Sequence, residues 1–138
     1  MKRPPTDLEI LEEIYRRYYE VFSEYSKDSP SRDTKVYVPI DIRAIADHFG
    51  VDGDIVHGRL YYYLDHKYSI VRGDGSKVPF FRFVENTTPQ SRDQVQFPVL
   101  ASAIASLRES RNQFLWATAL AGASFLIALL AFIVSIYC

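Results

Sequence analysis

One cysteine in 138 residues, Cys138, leaves no partner for an internal disulfide and no multi-cysteine metal site. Histidine is scarce as well: His48, His57 and His66 are never four apart, and no HExxH pair occurs. No glycine opens a phosphate-cradling loop ahead of a helix, since Gly73 and Gly75 belong to a turn. A GxSxG elbow is missing too. Asp54 and His57, one helical turn apart, read as a surface pair rather than an acid/base set. Glu12, Glu13 and Glu20 fall on a charged helix face that simply solvates it. These absences lead us to expect no catalytic residue, no metal and no cofactor, and so a protein that is not an enzyme.

The chain has no excess of positive charge. With 16 Lys/Arg, 17 Asp/Glu and a formal net charge of −1, it has no general electrostatic reason to hold a phosphate polymer. The charges are unevenly spread. Only Arg108, Glu109 and Arg111 lie beyond residue 99, and residues 114–138 carry none. The start, MKRPPTDLEI, has two basic residues with no apolar run after them, so no secretory signal peptide is expected.

The uncharged stretch is FLWATALAGASFLIALLAFIVSIYC. As a helix it would be ~37 Å long, against ~30 Å for a bilayer's hydrocarbon core. Its many Leu, Ile, Phe and Val residues each favour insertion by ~0.3–0.6 kcal/mol, with no ionised side chain opposing them. Trp116 and Tyr137 stand near its two ends, where amphipathic rings prefer the interface. A transmembrane helix over 114–138 is therefore expected, with a lipid bilayer as one partner. Arg108 and Arg111 precede it, so the positive-inside rule puts the N-terminal domain in the cytoplasm and the C-terminus opposite, as in a tail-anchored, single-pass protein. The sequon at Asn86, Thr87 and Thr88 would then face away from glycosylation and reads as chance, and Cys138 as a bland terminal residue rather than a lipidation site.

Small residues recur along that span. Ala117, Ala121, Ser124, Ala128, Ala131 and Ser135 follow 4-3-4-3-4 spacing and share one stripe. Close backbone approach drives helix association in lipid, so the stripe predicts a homo-oligomer. Upstream, FPVLASAIASLRESRNQ keeps helical spacing through Leu100, Ala103, Ile104 and Leu107, with Pro98 suited to the first helical position. Residues 98–113 should thus form a juxtamembrane helix leading into the span.

The rest reads as a compact domain. TDLEILEEIYRRYYEVFSEYS opens with Thr6 and Glu9 at capping-box spacing and repeats apolar residues three and four apart, from Leu8 and Leu11 through Tyr15, Tyr18, Phe22 and Tyr25. This amphipathic helix and the polar turn after it make up residues 1–34, which should pack on a core at 35–84. KVYVP predicts a short strand ended by Pro39. SIVRGDGSKVPFFRFV predicts two strands around Gly73-Asp74-Gly75, with Pro79 confined to an edge. Polar residues 85–97 read as a linker.

Between strand and hairpin lies IDIRAIADHFGVDGDIVHGRLYYYLDHKY. Ala46 allows two helices to cross closely, Gly50 suits a left-handed turn, Asp52 caps a second helix, and Val56 with Leu60 plugs it onto the first. This pattern resembles a helix-turn-helix. With the flanking strand and hairpin, residues 35–84 resemble a winged helix. The fold class expected is mainly α with a small β-hairpin, plus one long C-terminal transmembrane helix.

In a DNA-binding winged helix the second motif helix faces phosphates and base edges. Here that helix presents Asp52, Asp54, His57 and Tyr61, and carboxylates repel phosphate. The expected use is therefore a protein-docking face made of those four residues, on a membrane-anchored adaptor or regulator. The alternatives are a membrane-tethered transcription regulator, with Arg59, Lys67, Arg72 and Lys77 (and Arg82) as nucleic-acid contacts, or an oligomeric membrane effector. The run Tyr61-Tyr62-Tyr63 points in three directions on a helix, with Tyr63 and Leu64 expected in the core.

Overall fold

The computed structural model describes residues 3–28, 30, 32, 34–85 and 88–137. Asn86, Thr87 and Cys138, which bear on glycosylation and lipidation, lie outside the described residues. The chain divides into two compact units, one reaching Ile104 and one beginning at Ala105.

In the first unit, helix α1 (Asp7–Ser23) starts at the expected cap. The Thr6 hydroxyl accepts from the Glu9 N–H at 3.2 Å, and the Glu9 carboxylate accepts from the Thr6 N–H at 3.0 Å. Its inward face is Ile10, Leu11 and Ile14. Strand β1 (Tyr37–Pro39) follows, then α2 (Ile42–Phe49), capped by Asp41, whose carboxylate accepts from Ala44 N–H at 3.2 Å. Gly50 ends α2 at φ 67° and ψ 30°, a conformation that disfavours any residue with a Cβ. Helix α3 (Gly53–Gly58) begins two residues after Val51, and its backbone continues as a π-helical turn (Arg59–Leu64) and α4 (Asp65–Tyr68). Ala46, Val56 and Leu60 are all buried, so the two helices meet through the residues the pattern named, and Leu64 is buried beyond them.

The expected hairpin is present as β2 (Ile70–Val71) and β3 (Lys77–Val78), antiparallel, with Gly75 at φ 88° in the turn. Proline then splits the longer second strand that the sequence suggested. After Pro79 the chain enters β4 (Phe81–Phe83), which leaves the hairpin and joins a different sheet. That sheet is ordered β1-β5-β4, and its centre is β5 (Asp93–Gln96). Residues 93–97 are thus no linker. Val95 pairs with Val38 on one side and Phe81 on the other. The stretch reads as polar because Gln94, although buried, has its amide satisfied: Oε1 accepts from Arg82 Nε at 2.7 Å and Nε2 donates to Ser91 C=O at 3.0 Å.

The last element, α5 (Phe97–Tyr137), runs 41 residues. Its first turns belong to the domain core through Phe97, Leu100, Ala103 and Ile104, all buried. Phe97 stacks on Tyr15 and Phe22 of α1, with centroids 5.4 and 4.7 Å away. In the second unit α5 is long and apolar enough to cross a membrane: its most apolar window has mean hydropathy 2.5 and no buried residue.

Candidate functional site

The helical run from Gly53 to Tyr68 carries most of the singled-out residues, and the structure sorts them by what they touch. Asp52 serves the fold, because its carboxylate accepts the Asp54 N–H at 2.8 Å and starts α3. Asp54 is exposed beside it. His57 lies further round, its ring parallel to Tyr61 at 5.8 Å and edge-on to Phe81 of β4 at the same distance. It therefore leans on the sheet. Tyr61 bridges the two environments: one side meets His57, the other meets Tyr62 edge-on at 5.0 Å.

The π turn explains the tyrosines. Leu60 and Leu64 within it are fully buried, while Tyr61, Tyr62 and Tyr63 between them are 51%, 70% and 69% exposed. Tyr63 is thus on the surface and not in the core, where the sequence placed it. A one-residue widening of the helical turn carries three consecutive rings past the buried stripe. Aromatic area of this kind suits protein contact, since Tyr offers a large rigid surface with a polar tip.

The cations proposed for nucleic acid do not form one surface. Arg59 reaches α1, where its Nη1 lies 2.6 Å from Asp7 Oδ1. Lys67 sits over the Tyr68 ring at 5.3 Å. Lys77 Nζ is 3.9 Å from Asp65, and Arg72 is exposed on the hairpin. Arg82 is turned inward, 3.8 Å over the Tyr37 ring and bonded to Gln94. The Asp65 carboxylate also supports the fold. One of its oxygens accepts from the N–H groups of Phe80 and Phe81, both at 3.0 Å, holding the start of β4 against the helix.

Two acidic residues have surroundings that the sequence did not suggest. Glu13 was expected on the solvated face of α1, yet its side chain is only 5% exposed. It bonds Arg16, lies 3.0 Å from Arg17, and lies 3.3 Å from His48 of α2. Burial opposes its ionisation, but the Arg16 hydrogen bond, the charges of His48 and Arg16 and the Arg17 hydrogen bond outweigh that and hold the carboxyl below its ordinary value. The i, i+3 and i, i+4 arginines were the legible hint. Asp93, on β5, shows the opposite balance. Burial pushes its carboxyl up, nearby His57 and Arg92 only partly offset this, and Asp41 adds to it. One Asp93 oxygen is buried with no hydrogen-bond partner among the described residues. Asp93 lines an open cleft of about 510 Å³ with Ile40, Asp41, Ile42, Arg43, Pro89 and Gln90.

Among the described residues no three or more His, Cys, Asp or Glu side chains are grouped to hold a metal ion. On α5 the stripe of Ala117, Ala121, Ser124, Ala128, Ala131 and Ser135 is exposed throughout. Comparison with protein-family models, with curated proteins and with solved structures finds no match.

Proposed function

We propose that this chain is a non-enzymatic adaptor or regulator, held at a bilayer by α5 with its folded N-terminal unit on the cytoplasmic side. The observation that carries the reading is α5 itself. Its apolar part has mean hydropathy 2.5 with none of that window buried, a surface that water would not tolerate. Arg108 and Arg111 ahead of the uncharged run support the cytoplasmic orientation.

The folded unit is winged-helix-like in this reading. Its support is the element order, with a helix, a strand, two helices joined at Gly50, and a later strand, β5, that pairs antiparallel with both β1 and β4. The closing pair of that sheet is β4 and β5, and β2–β3 is an additional hairpin. The docking face comprises Asp54, Tyr61, Tyr62 and Tyr63, with Asp52 and His57 shaping it from behind. The Arg59–Asp7 ion pair speaks against the DNA-binding alternative, since the best-placed cation is already neutralised within the fold.

Two measurements on the full chain test this. Alkaline extraction should leave it in the membrane pellet, and protease should reach the N-terminal unit only from the cytoplasmic side. A chain released by alkali would end the anchoring claim. In nanodiscs the chain should bind duplex DNA no better than empty discs do. Salt-sensitive binding that weakens in Arg59→Ala would replace the adaptor with a membrane-tethered DNA binder, because phosphate contacts release counterions.

A further inference from the structure

Two open clefts follow one seam of the folded unit, where the start of α1 meets the helical run that begins with α3. The larger, about 610 Å³, is lined by Pro4, Asp47, Gly50, Val51, Asp52 and Ile55. The smaller, about 350 Å³, is lined by Asp7, Arg59 and Tyr63. Pro4 and Asp7 supply one wall, and Ile55, Arg59 and Tyr63, spaced four apart, supply the other. Residues at that spacing keep to one side of a helical run, so the two clefts form a single groove. The Arg59–Asp7 ion pair ties its walls together at 2.6 Å.

The two ends of the groove differ in chemistry. At the α2–α3 end, Asp47 and Asp52 flank Ile55, an aliphatic side chain 45% exposed. The cations along the seam are already paired, Arg3 with Glu9 at 3.0 Å and Arg59 with Asp7. Of the neighbours on α2, Arg43 lines the separate cleft beside Asp93, and His48 faces Glu13. Asp47 and Asp52, with Asp54 beside them, are exposed, and no ion pair reaches them among the described residues. At the other end Tyr63, 69% exposed, adds aromatic area next to a pair that carries no net charge.

We propose that this groove holds an extended segment of a partner protein whose basic side chains precede an aliphatic one on the same side. The match is charge complementarity along an apolar wall: the cations meet Asp47 and Asp52 beside Ile55, and the aliphatic group meets Tyr63. From Ile55 to Tyr63 the run rises about 12 Å at ~1.5 Å per residue, the reach of about four extended residues at ~3.3 Å each. A nucleic acid or an anionic headgroup would set phosphate against the same carboxylates. The inference deepens the docking-face reading and rests on it, since Asp54 and Tyr63 belong to that face; it adds the groove and the partner's chemistry.

The test uses the full chain in phosphatidylcholine nanodiscs, with empty discs subtracted, and the fluorescein-labelled peptide Arg-Val-Arg-Val-Leu-Val. In extended form its two arginines and its leucine share one side. Fluorescence anisotropy at low salt should show saturable binding, at least tenfold weaker when glutamates replace the arginines or serine replaces the leucine. Equal binding of the three peptides overturns the assignment, as does no binding at all. These exchanges are made on the unaltered chain, so they judge it even where a variant unfolds. Asp47→Asn/Asp52→Asn should also cost tenfold, with asparagine at position 52 still able to cap α3. Glu24→Gln/Asp28→Asn removes the same charge elsewhere and should change nothing; an equal loss there would mean bulk attraction and overturn the groove. Binding that survives in Asp47→Asn/Asp52→Asn and disappears in Tyr61→Ser/Tyr62→Ser sinks the groove and keeps the docking face. Binding indifferent to both pairs sinks both.

Discussion

The ring of Phe97 lies on that of Phe22, centroids 4.7 Å apart and planes 20° from parallel. The contact joins the first residue of the long apolar helix to the core-facing side of α1, and Phe97 is 1% exposed. The helix therefore starts inside the folded unit. Truncating a buried Phe typically costs about 3–5 kcal/mol, the transfer loss plus the cavity. Phe97→Ala should lower the melting temperature of the N-terminal unit in detergent by many degrees, whereas Phe114→Ala should leave it unchanged. Equal melting curves for the two variants would show that the stacked rings carry no stability.

How far the fold was legible depended on whether local chemistry repeated a recognisable period. The cap at Thr6, the left-handed Gly50 and the Asp52 cap were readable because each satisfies a backbone need within three or four residues. The central strand was not. In Asp93–Gln96 only Val95 is apolar, and its place comes from pairing with residues more than fifty positions earlier. Propensity cannot see such partners. The π turn hid the tyrosines in the same way, since a regular helix would have turned one of three consecutive residues inward. Of the candidate face, Asp54 and Tyr61 were legible as surface. His57 was not, because its contact is with Phe81 on a strand.

Glu13 makes a pH prediction with a defined sign. Its carboxyl sits below the ordinary value of 4.5 in the folded chain. A depressed folded pKa contributes stability that is present above 4.5 and lost as pH falls through the folded value. Glu13→Gln keeps the shape and removes that contribution, so at neutral pH it should destabilise by about 1–3 kcal/mol, leaving Arg16 and Arg17 a neutral amide oxygen in place of the carboxylate. The gap between wild type and variant should narrow as pH is lowered below 4.5. Thermal melts across that range check it, and a gap independent of pH would remove Glu13 from the acid response.

The Arg59–Asp7 pair ties the π turn to the start of α1 at 2.6 Å, with side chains 27% and 34% exposed. Partial exposure limits what it contributes. A double-mutant cycle with Arg59→Gln and Asp7→Asn should give a coupling of about 1 kcal/mol at low salt, shrinking as ionic strength rises. Denaturant titrations of the four chains read it directly. A coupling of zero at low salt would mean that the pair forms without stabilising the junction, and would reopen Arg59 to an outside anion.

The stripe on α5 predicts how copies of the chain meet. Ala117, Ala121, Ser124, Ala128, Ala131 and Ser135 alternate four and three apart, so they stay on one side of a helix over five turns. Lipid gives two apolar helices no hydrophobic reason to associate, and the gain comes from close backbone packing where side chains are small. Ala121→Leu with Ala128→Leu puts two branched side chains into that seam and should hold the backbones apart. Leu126→Ala with Leu129→Ala changes bulk elsewhere on the helix and serves as the control. Crosslinking the full chain in membranes should show oligomers for wild type and control, and only monomer for the seam variant. If the seam variant crosslinks as wild type does, the stripe is no contact surface, and any assembly must come from the N-terminal unit.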